Sequence, residues 1–462
     1  MPDVYDIVIL GGGSGGYAAA LRADQLGLSV ALVEKSKIGG TCLHNGCIPT
    51  KALLHSAEVA DAARESKSFG VKASFDGIDM KGVNAFKAGI VERLYKGLQG
   101  LLESSKNLTI VAGEGKLVST DKNGGGTVEV NGDKYTGKNV ILATGSTAQT
   151  LGLDIGGRIV TSDEALEMSE VPERVVIIGG SVIGVEFASV WKSFGADVTI
   201  IEGLKSLVPL EDPSLSKHLE RAFRKRKIAF RTGVKVTSVE QTDSGATVSL
   251  ENGDMIDTDV VLVAVGRGPR SEGMGFEEAG VTVERGWVPT DMRLRTNVKG
   301  IFAVGDLVPG LQVAHRGFAH GIFVAEEIAG LDPQPILDVD IPRVTYCEPE
   351  LASVGITEPQ AKERYGEDNV EIVEYNLGGN GKSQILQAAG SVKLVREKDG
   401  PIVGVHMIGS RFGEQVGEAS LIVNWEAYPE DVAAFIHAHP TQNESLGEAV
   451  MTLANRPLHS HS

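Results

Sequence analysis

Cysteine is scarce in this chain, with three residues among 462. Three cysteines cannot build a disulfide framework, and so few suit a reducing compartment. Basic charge is also short: 44 Lys and Arg stand against 61 Asp and Glu, a net charge of −17. Nucleic-acid binders need a basic face, so that class is excluded, and anionic membrane surfaces are disfavoured. Long apolar runs are missing too, since none reaches the roughly 18 residues of a membrane span. The stretch "DIVILGGGSGGYAAAL" imitates a signal peptide but lacks its basic flank, with Asp3 and Asp6 where Lys or Arg belongs. No targeting segment is expected, and the cytoplasm is the expected compartment.

What is present is ordinary except for glycine. Hydrophobic residues make up 42% and charged residues 23%, as in globular proteins, and 462 residues exceed one core, so several domains are expected. Glycine appears 58 times, nearly twice the usual share of about 7%. The glycines follow no fixed period, which excludes collagen. They cluster after apolar runs, as phosphate-binding turns do.

One repeat organises the first half. "DIVILGGG" reads as a buried strand running into glycines, "GGYAAALRADQLG" as a helix, and "SVALVEK" as a second strand ending in Glu34. Gly11, Gly13 and Gly16 stand in the G-x-G-x-x-G register of a dinucleotide-binding βαβ unit. The spacing supplies a tight turn, close approach to pyrophosphate, helix–strand packing, and a carboxylate for ribose hydroxyls. The helix N-terminus favours the pyrophosphate anion. A lone match is weak evidence, but this one recurs at a constant offset of 168, with Gly179, Gly184, Gly195 and Glu202 answering Gly11, Gly16, Gly27 and Glu34. Two dinucleotide sites are therefore expected. Ser181 replaces the middle glycine of the second unit and puts its loop shape and affinity in question. "ILATGS", "VLVAVGR" and "TNVKGIFAVGD" are further apolar strands ending at Gly145, Gly266 and Gly305, and Asp306 follows the last at a strand end where open α/β sheets bind ligands.

Cys42 and Cys47 lie just beyond the first unit, in "GGTCLHNGCIPTK". A zinc site would recruit Cys42, His44 and Cys47 with His437 or His439, but structural zinc wants a tighter cysteine spacing and a second knuckle. Two buried hydrophobes are the plain alternative, against which stand the polar neighbours Thr41 and Asn45 with Gly46 and Pro49. A redox pair is the favoured reading. On a regular helix the i, i+5 side chains would point about 140° apart, so a distorted turn at Gly46 and Pro49 is expected. A helix N-terminus near the thiol would favour its thiolate.

The whole of "GGTCLHNGCIPTK" resembles the redox-active disulfide motif of the flavoprotein pyridine nucleotide-disulfide oxidoreductases. The two dinucleotide units, "ILATGS", "IFAVGD" and the C-terminal "HAHPTQNE" match that family in order and spacing, over essentially the whole chain. Within it the proximal pattern and the ending are similar to the branch that oxidises dihydrolipoyl groups with NAD+. The resemblance implies an α/β fold with two Rossmann-like dinucleotide-binding domains and a C-terminal α+β dimerisation domain. It divides the chain into FAD-binding residues 1–147, NAD-binding residues 148–267, a central FAD part at 268–337 and an interface domain at 338–462. It implies a homodimer serving lipoyl domains and the acyltransferase core of 2-oxo acid dehydrogenase complexes or the glycine cleavage system. Neither nucleic acid, membrane nor metal is among the implied partners.

By the same resemblance, Cys42 and Cys47 form the redox disulfide, with Cys42 exchanging with substrate and Cys47 nearer the flavin. His439 is the base and Glu444 its orienting carboxylate; periodicity alone does not choose His439 over His437. FAD would be held by Gly11, Gly13, Ser14, Gly16, Glu34, Lys35, Gly40, Thr41, Lys51, Gly115, Thr144, Gly145, Ser146, Gly305, Asp306, Val313, Ala314 and His315. NAD would be held by Gly179, Ser181, Ile183, Gly184, Glu202 and Gly266, and Glu186 would pair with Lys51 beside the flavin. Departures from the family pattern are Phe318 and His320, where acidic residues are frequent, and Gln442–Asn443 in place of Leu–Ser. Cys347 matches no motif and reads as packing. The "HSHS" tail reads as disordered. Within the family, a glutathione- or mycothiol-type reductase using NADPH is the rival; a mercuric type would need an extra C-terminal cysteine pair, which is absent.

Overall fold

The structure, a computed structural model, describes residues 4–459. Strand Tyr5–Leu10 is almost wholly buried and pairs in parallel with Val30–Glu34 on one side and Asp133–Leu142 on the other. These strands centre a seven-stranded sheet that also takes in Leu108–Ala112, Gly126–Val130, Gly115–Thr120 and, from far along the chain, Ile301–Ala303. A second sheet repeats the plan. Arg174–Ile178 pairs in parallel with Asp197–Glu202 and with Val260–Val263, and Ala229–Thr232 and Ile159–Val160 close its edges. Strands buried on both faces read as continuous apolar runs, which is why "VVII" and "VVLV" carry no alternation.

The expected repeat is thus a structural one. Helices Ser14–Gln25 and Val182–Phe194 each leave their glycine loop and cover their sheet, and each is followed by the expected second strand. A three-stranded antiparallel sheet of Val236–Thr242, Gly245–Leu250 and Met255–Thr258 leans on the second unit.

The C-terminal part is an antiparallel five-stranded sheet ordered Arg343–Thr345, Glu350–Gly355, Ile402–Gly409, Ser391–Glu397 and Val370–Asn376. "SVKLVRE" and "IVGVHMIG" are strands, and of "GEQVGEASLIVNWEA", whose pattern reads as helical throughout, the helix takes in all but the final "WEA". Helices Phe412–Asn424 and Glu444–Leu453 cover one face over a core of Leu394, Val405, Phe412 and Ala449. The chain is an α/β protein with two dinucleotide-binding folds and an added α+β unit. Among the described residues, no helix is long and apolar enough to cross a membrane. The tail departs from expectation at His459, whose backbone N–H and Nδ1 both engage Glu448, at 3.0 and 2.7 Å. Residues 460–462 of that tail lie outside the described residues.

Candidate active site

Both glycine loops are closed by the same steric rule. Gly11 holds φ +109°, and a Cβ there would lie 2.3 Å from the Ala143 carbonyl oxygen; at Gly179 the values are +108° and 2.4 Å from Ala264. A Cβ on Gly16 or Gly184 would fall within 2 Å of the preceding loop's carbonyl, at 1.8 and 1.9 Å. Gly13 and Ser181 are extended instead, at φ −73° and −90°, a backbone that any residue adopts. The doubt over Ser181 is thereby resolved for loop shape, because the middle position requires no glycine conformation.

Glu34 and Glu202 act alike as well. Glu34 accepts from the N–H of Gly12 at 2.7 Å and of Ser36 at 2.8 Å; Glu202 accepts from Gly180 and Leu204, both at 2.7 Å. Each carboxylate is held at its strand end above the loop, where the ribose of a dinucleotide would lie. The remaining expected contacts gather around the first unit. Thr144 Oγ1 donates to Arg270 O at 2.5 Å, and Ser146 Oγ donates to Asp306 at 2.7 Å, joining the "ATGS" and "VGD" turns. Val313 and Ala314 begin a helix whose Gly317 and Gly321 pack against Ser14 and Gly15. Not every candidate converges. Lys35 reaches outward to Glu114 at 3.4 Å, Gly115 is packed in the sheet core against Leu10 and Val33, and His315 meets Pro342 O at 2.7 Å.

The cysteine pair is set directly on this cradle. Gly40 has φ +60°, and a Cβ on it would lie 2.7 Å from Gly13 Cα, while Gly39 N–H donates to Gly12 O at 2.9 Å. The paired glycines before Thr41 therefore dock the cysteine segment against the dinucleotide loop. Cys42 lies in the short helix Gly40–His44, and Cys47 opens helix Cys47–Glu65. The expected distortion falls at Asn45 and Gly46, where a Cβ on Gly46 would meet Thr41 O at 2.9 Å. Pro49, in contrast, is an ordinary first-turn residue of the long helix and makes no kink.

Both thiols are free and half-buried. A hydrogen bond between them holds Cys47 down to about 7, helped by the Lys51 ammonium against the effect of burial, and the same bond with burial pushes Cys42 up. The negative charge of a reduced pair accordingly rests on Cys47. Lys51 donates to both Glu186 oxygens at 2.9 Å. Burial opposes its charge, but Glu186 outweighs it and raises the ammonium's pKa. Tyr346 escaped sequence reasoning: its N–H donates to Glu186 at 2.9 Å, and its ring centroid lies 4.7 Å from Lys51 Nζ. Cys347 beside it is buried, as the packing reading expects.

A Lys51→Met variant should lose the cation that favours the Cys47 thiolate while keeping the helix. In dithiol-reduced protein, the pH midpoint for iodoacetamide alkylation of Cys47 should move up from near 7. An unmoved midpoint would mean that Lys51 serves only Glu186.

The histidines separate cleanly. His437 is nearly buried and bonded to Glu418 at 2.7 Å, and Asn443 holds the other Glu418 oxygen at 2.7 Å. His439 is 77% exposed, with Nδ1 at 2.8 Å from Glu444 Oε1. Glu444 also accepts from Thr441 N–H at 2.7 Å, and these bonds outweigh burial to keep it ionised. With Nδ1–H donating to Glu444, Nε2 of His439 is left as an acceptor facing solvent. No hydrogen bond, ion pair or ring contact joins His439 or Glu444 to Cys42, Cys47 or Lys51 among the described residues.

The pyridine nucleotide-disulphide oxidoreductase model matches residues 5–321, and the dimerisation-domain model of the same family matches residues 341–450. The chain belongs to this family. It is 40% identical over 476 residues to a dihydrolipoyl dehydrogenase of Bacillus subtilis, covering 99% of this chain and 100% of that one. A mitochondrial dihydrolipoyl dehydrogenase of Arabidopsis thaliana is 38% identical, over 99% and 92%. The crystal structure of LpdA from Mycobacterium tuberculosis superposes with a TM-score of 0.90 over 97% of this chain and 100% of that one, at 24% identity, which speaks to the fold alone. Pyridine nucleotide-disulphide oxidoreductases use FAD and NAD(H). This chain's cradles fit such groups: each loop turns at a glycine that admits no Cβ, each carries a strand-end carboxylate for a ribose, and Gln312 next to Val313 has a buried Nε2 with no partner among the described residues.

Proposed function

We propose that this chain is a homodimeric, FAD-dependent dihydrolipoyl dehydrogenase that uses the Cys42–Cys47 pair to oxidise lipoyl-bound dithiols and passes the electrons to NAD+. The observation that carries this reading is the thiol pair docked on the first dinucleotide loop, its thiolate held by Lys51. Full-length similarity to dihydrolipoyl dehydrogenases supports the choice of substrate. We keep the division at residues 147, 267 and 337, and place the protein in the reducing cytoplasm, where free thiols persist.

With the pair oxidised, a substrate thiol gives its proton to Nε2 of His439, and the thiolate attacks Cys42 Sγ, expelling Cys47 as thiolate. The second substrate thiol attacks the substrate sulfur of the mixed disulfide, the cyclic disulfide is released, and the attacking thiol's proton ends on Cys42, which leaves as the reduced thiol. A thiol near pKa 8.5 is mostly protonated at neutral pH, so an imidazole acceptor is required. Glu444 fixes the tautomer and steadies the imidazolium. Lys51 and the helix N-terminus hold the Cys47 thiolate. Bound FAD would supply the two-electron acceptor for the Cys47 thiolate, and bound NAD+ would supply the final hydride acceptor.

A yellow protein bleached by dihydrolipoamide and reoxidised by NAD+ tests the proposal; bleaching by NADPH alone, with no response to the dithiol, sinks it. The same assay tests nucleotide choice. Glu202, pinned by Gly180 and Leu204, should bind ribose hydroxyls and repel a 2′-phosphate. Gly203, Leu204 and Lys205 offer no arginine to hold that phosphate. NAD(H) should exceed NADP(H) at least about tenfold in kcat/KM, or about 1.4 kcal/mol. Equal or reversed preference in steady-state rates would overturn the assignment of Glu202.

A further inference from the structure

Helix Ala314–Ile328 turns two side chains, Arg316 and His320, away from the neighbouring Ser14–Gln25 helix and into the chain that precedes it. Both are buried, at 4% and 2% exposure. The Arg316 guanidinium donates to four backbone carbonyls of one loop: Gly305 at 3.3 Å, Val308 at 3.2 Å, Leu311 at 3.2 Å and Pro309 at 2.6 Å. Its Nε donates to Asp338 at 2.9 Å, which supplies the counter-charge. His320 Nδ1 accepts the Gly305 N–H at 3.3 Å. Gly305 is thus gripped at both its N–H and its carbonyl, by side chains one helical turn apart. Burial, with Arg316 nearby, lowers His320 to about 3, so the ring stays a neutral acceptor at any working pH.

A buried guanidinium has five N–H donors and must satisfy them. Here it does so on main-chain carbonyls rather than on a ligand or a second carboxylate. That loop carries Asp306, bonded to Ser146, at its start, and it runs into Gln312, whose buried Nε2 has no partner among the described residues. We propose that Arg316 and His320 are positioning residues that set the Gly305–Leu311 loop and thereby aim Asp306 and the Gln312 amide at the flavin. This deepens the proposed function and rests on its assignment of FAD to the first unit. The neutral acceptor and the single balanced cation also leave little net charge behind the loop, so alignment rather than field is what the clamp contributes.

The test uses full-length dimers and four substitutions: Arg316→Met, Arg316→Lys, His320→Leu and His320→Gln. Bound FAD, its dissociation constant and its visible spectrum are read after circular dichroism and mass have confirmed folded dimers. Arg316→Met should weaken FAD retention at least tenfold, and Arg316→Lys should recover part of it. His320→Leu, which removes one acceptor and no charge, should broaden and shift the flavin bands, and His320→Gln should restore them. His320→Leu decides the matter even if Arg316→Met does not fold. A flavin-loaded wild type whose variants keep its dissociation constant and spectrum overturns the clamp alone. A wild type that takes up no FAD overturns the functional reading and the clamp with it.

Discussion

Replacing Cys42 with serine should reduce dihydrolipoamide oxidation at least about 10⁴-fold, or about 5.4 kcal/mol of transition-state stabilisation. A serine hydroxyl neither forms the mixed disulfide nor ionises near neutral pH, so no alternative route exists within the site. Cys47→Ser should lose turnover equally but differ in its spectrum. Cys47 is the thiol held down to about 7, next to Lys51, whereas Cys42 is pushed up by the hydrogen bond it gives and by burial. A long-wavelength thiolate-to-flavin band should therefore appear in reduced wild type, persist in Cys42→Ser, and vanish in Cys47→Ser with FAD still bound. Visible spectra of reduced protein read this directly. If the band survives in Cys47→Ser, the order of the two cysteines is reversed.

Much of this site was legible because local rules dominate it. The offset of 168 becomes two loops with matching angles and matching carboxylate bonds, since a dinucleotide loop tolerates little variation at Gly11 or Gly16. The cysteine segment was legible for a similar reason: Gly46 marks the break that five-residue spacing demands, and Gly40 the docking point. Pairing across distance was a different matter. Lys51 and Glu186 are 135 positions apart, and only the resemblance joined them before the geometry did. Tyr346 and Arg316 carried no signal at all. An arginine on a helix ordinarily covers apolar surface and keeps its charge in water; nothing in "HRGFAH" announces one buried beneath a loop of carbonyls. The departures fared unevenly. Asn443 holds Glu418 against His437, and the Phe318 ring packs at a tilt against Tyr17 with centroids 5.6 Å apart. His320, the other departure on that helix, is a backbone acceptor.

The separation of His439 from the cysteines is the strongest sign of how the dimer works. One chain leaves His439 and its Glu444 partner at the surface, with Phe435 and Ile436, 65% and 90% exposed, just before His439 in the chain. So much apolar surface beside a catalytic-type pair calls for a cover, and the surrounding residues belong to the matched dimerisation domain. Around a two-fold axis the same patch meets itself and its flank meets another part of the partner. We expect that flank to be the cysteine segment, so that each Cys42 is served by the partner subunit's His439. His439→Ala alone should cost about 10²- to 10⁴-fold, the usual worth of a positioned base. Cys42→Ser alone should be dead. Co-expressed under two different tags, the two variants yield mixed dimers in which one composite site is whole and the other lacks both groups. Dimers purified through both tags should therefore show up to half the wild-type activity, far above either parent. Were each site built within one chain, every subunit of the mixture would carry a lesion, and the doubly tagged dimers would remain as inactive as their parents.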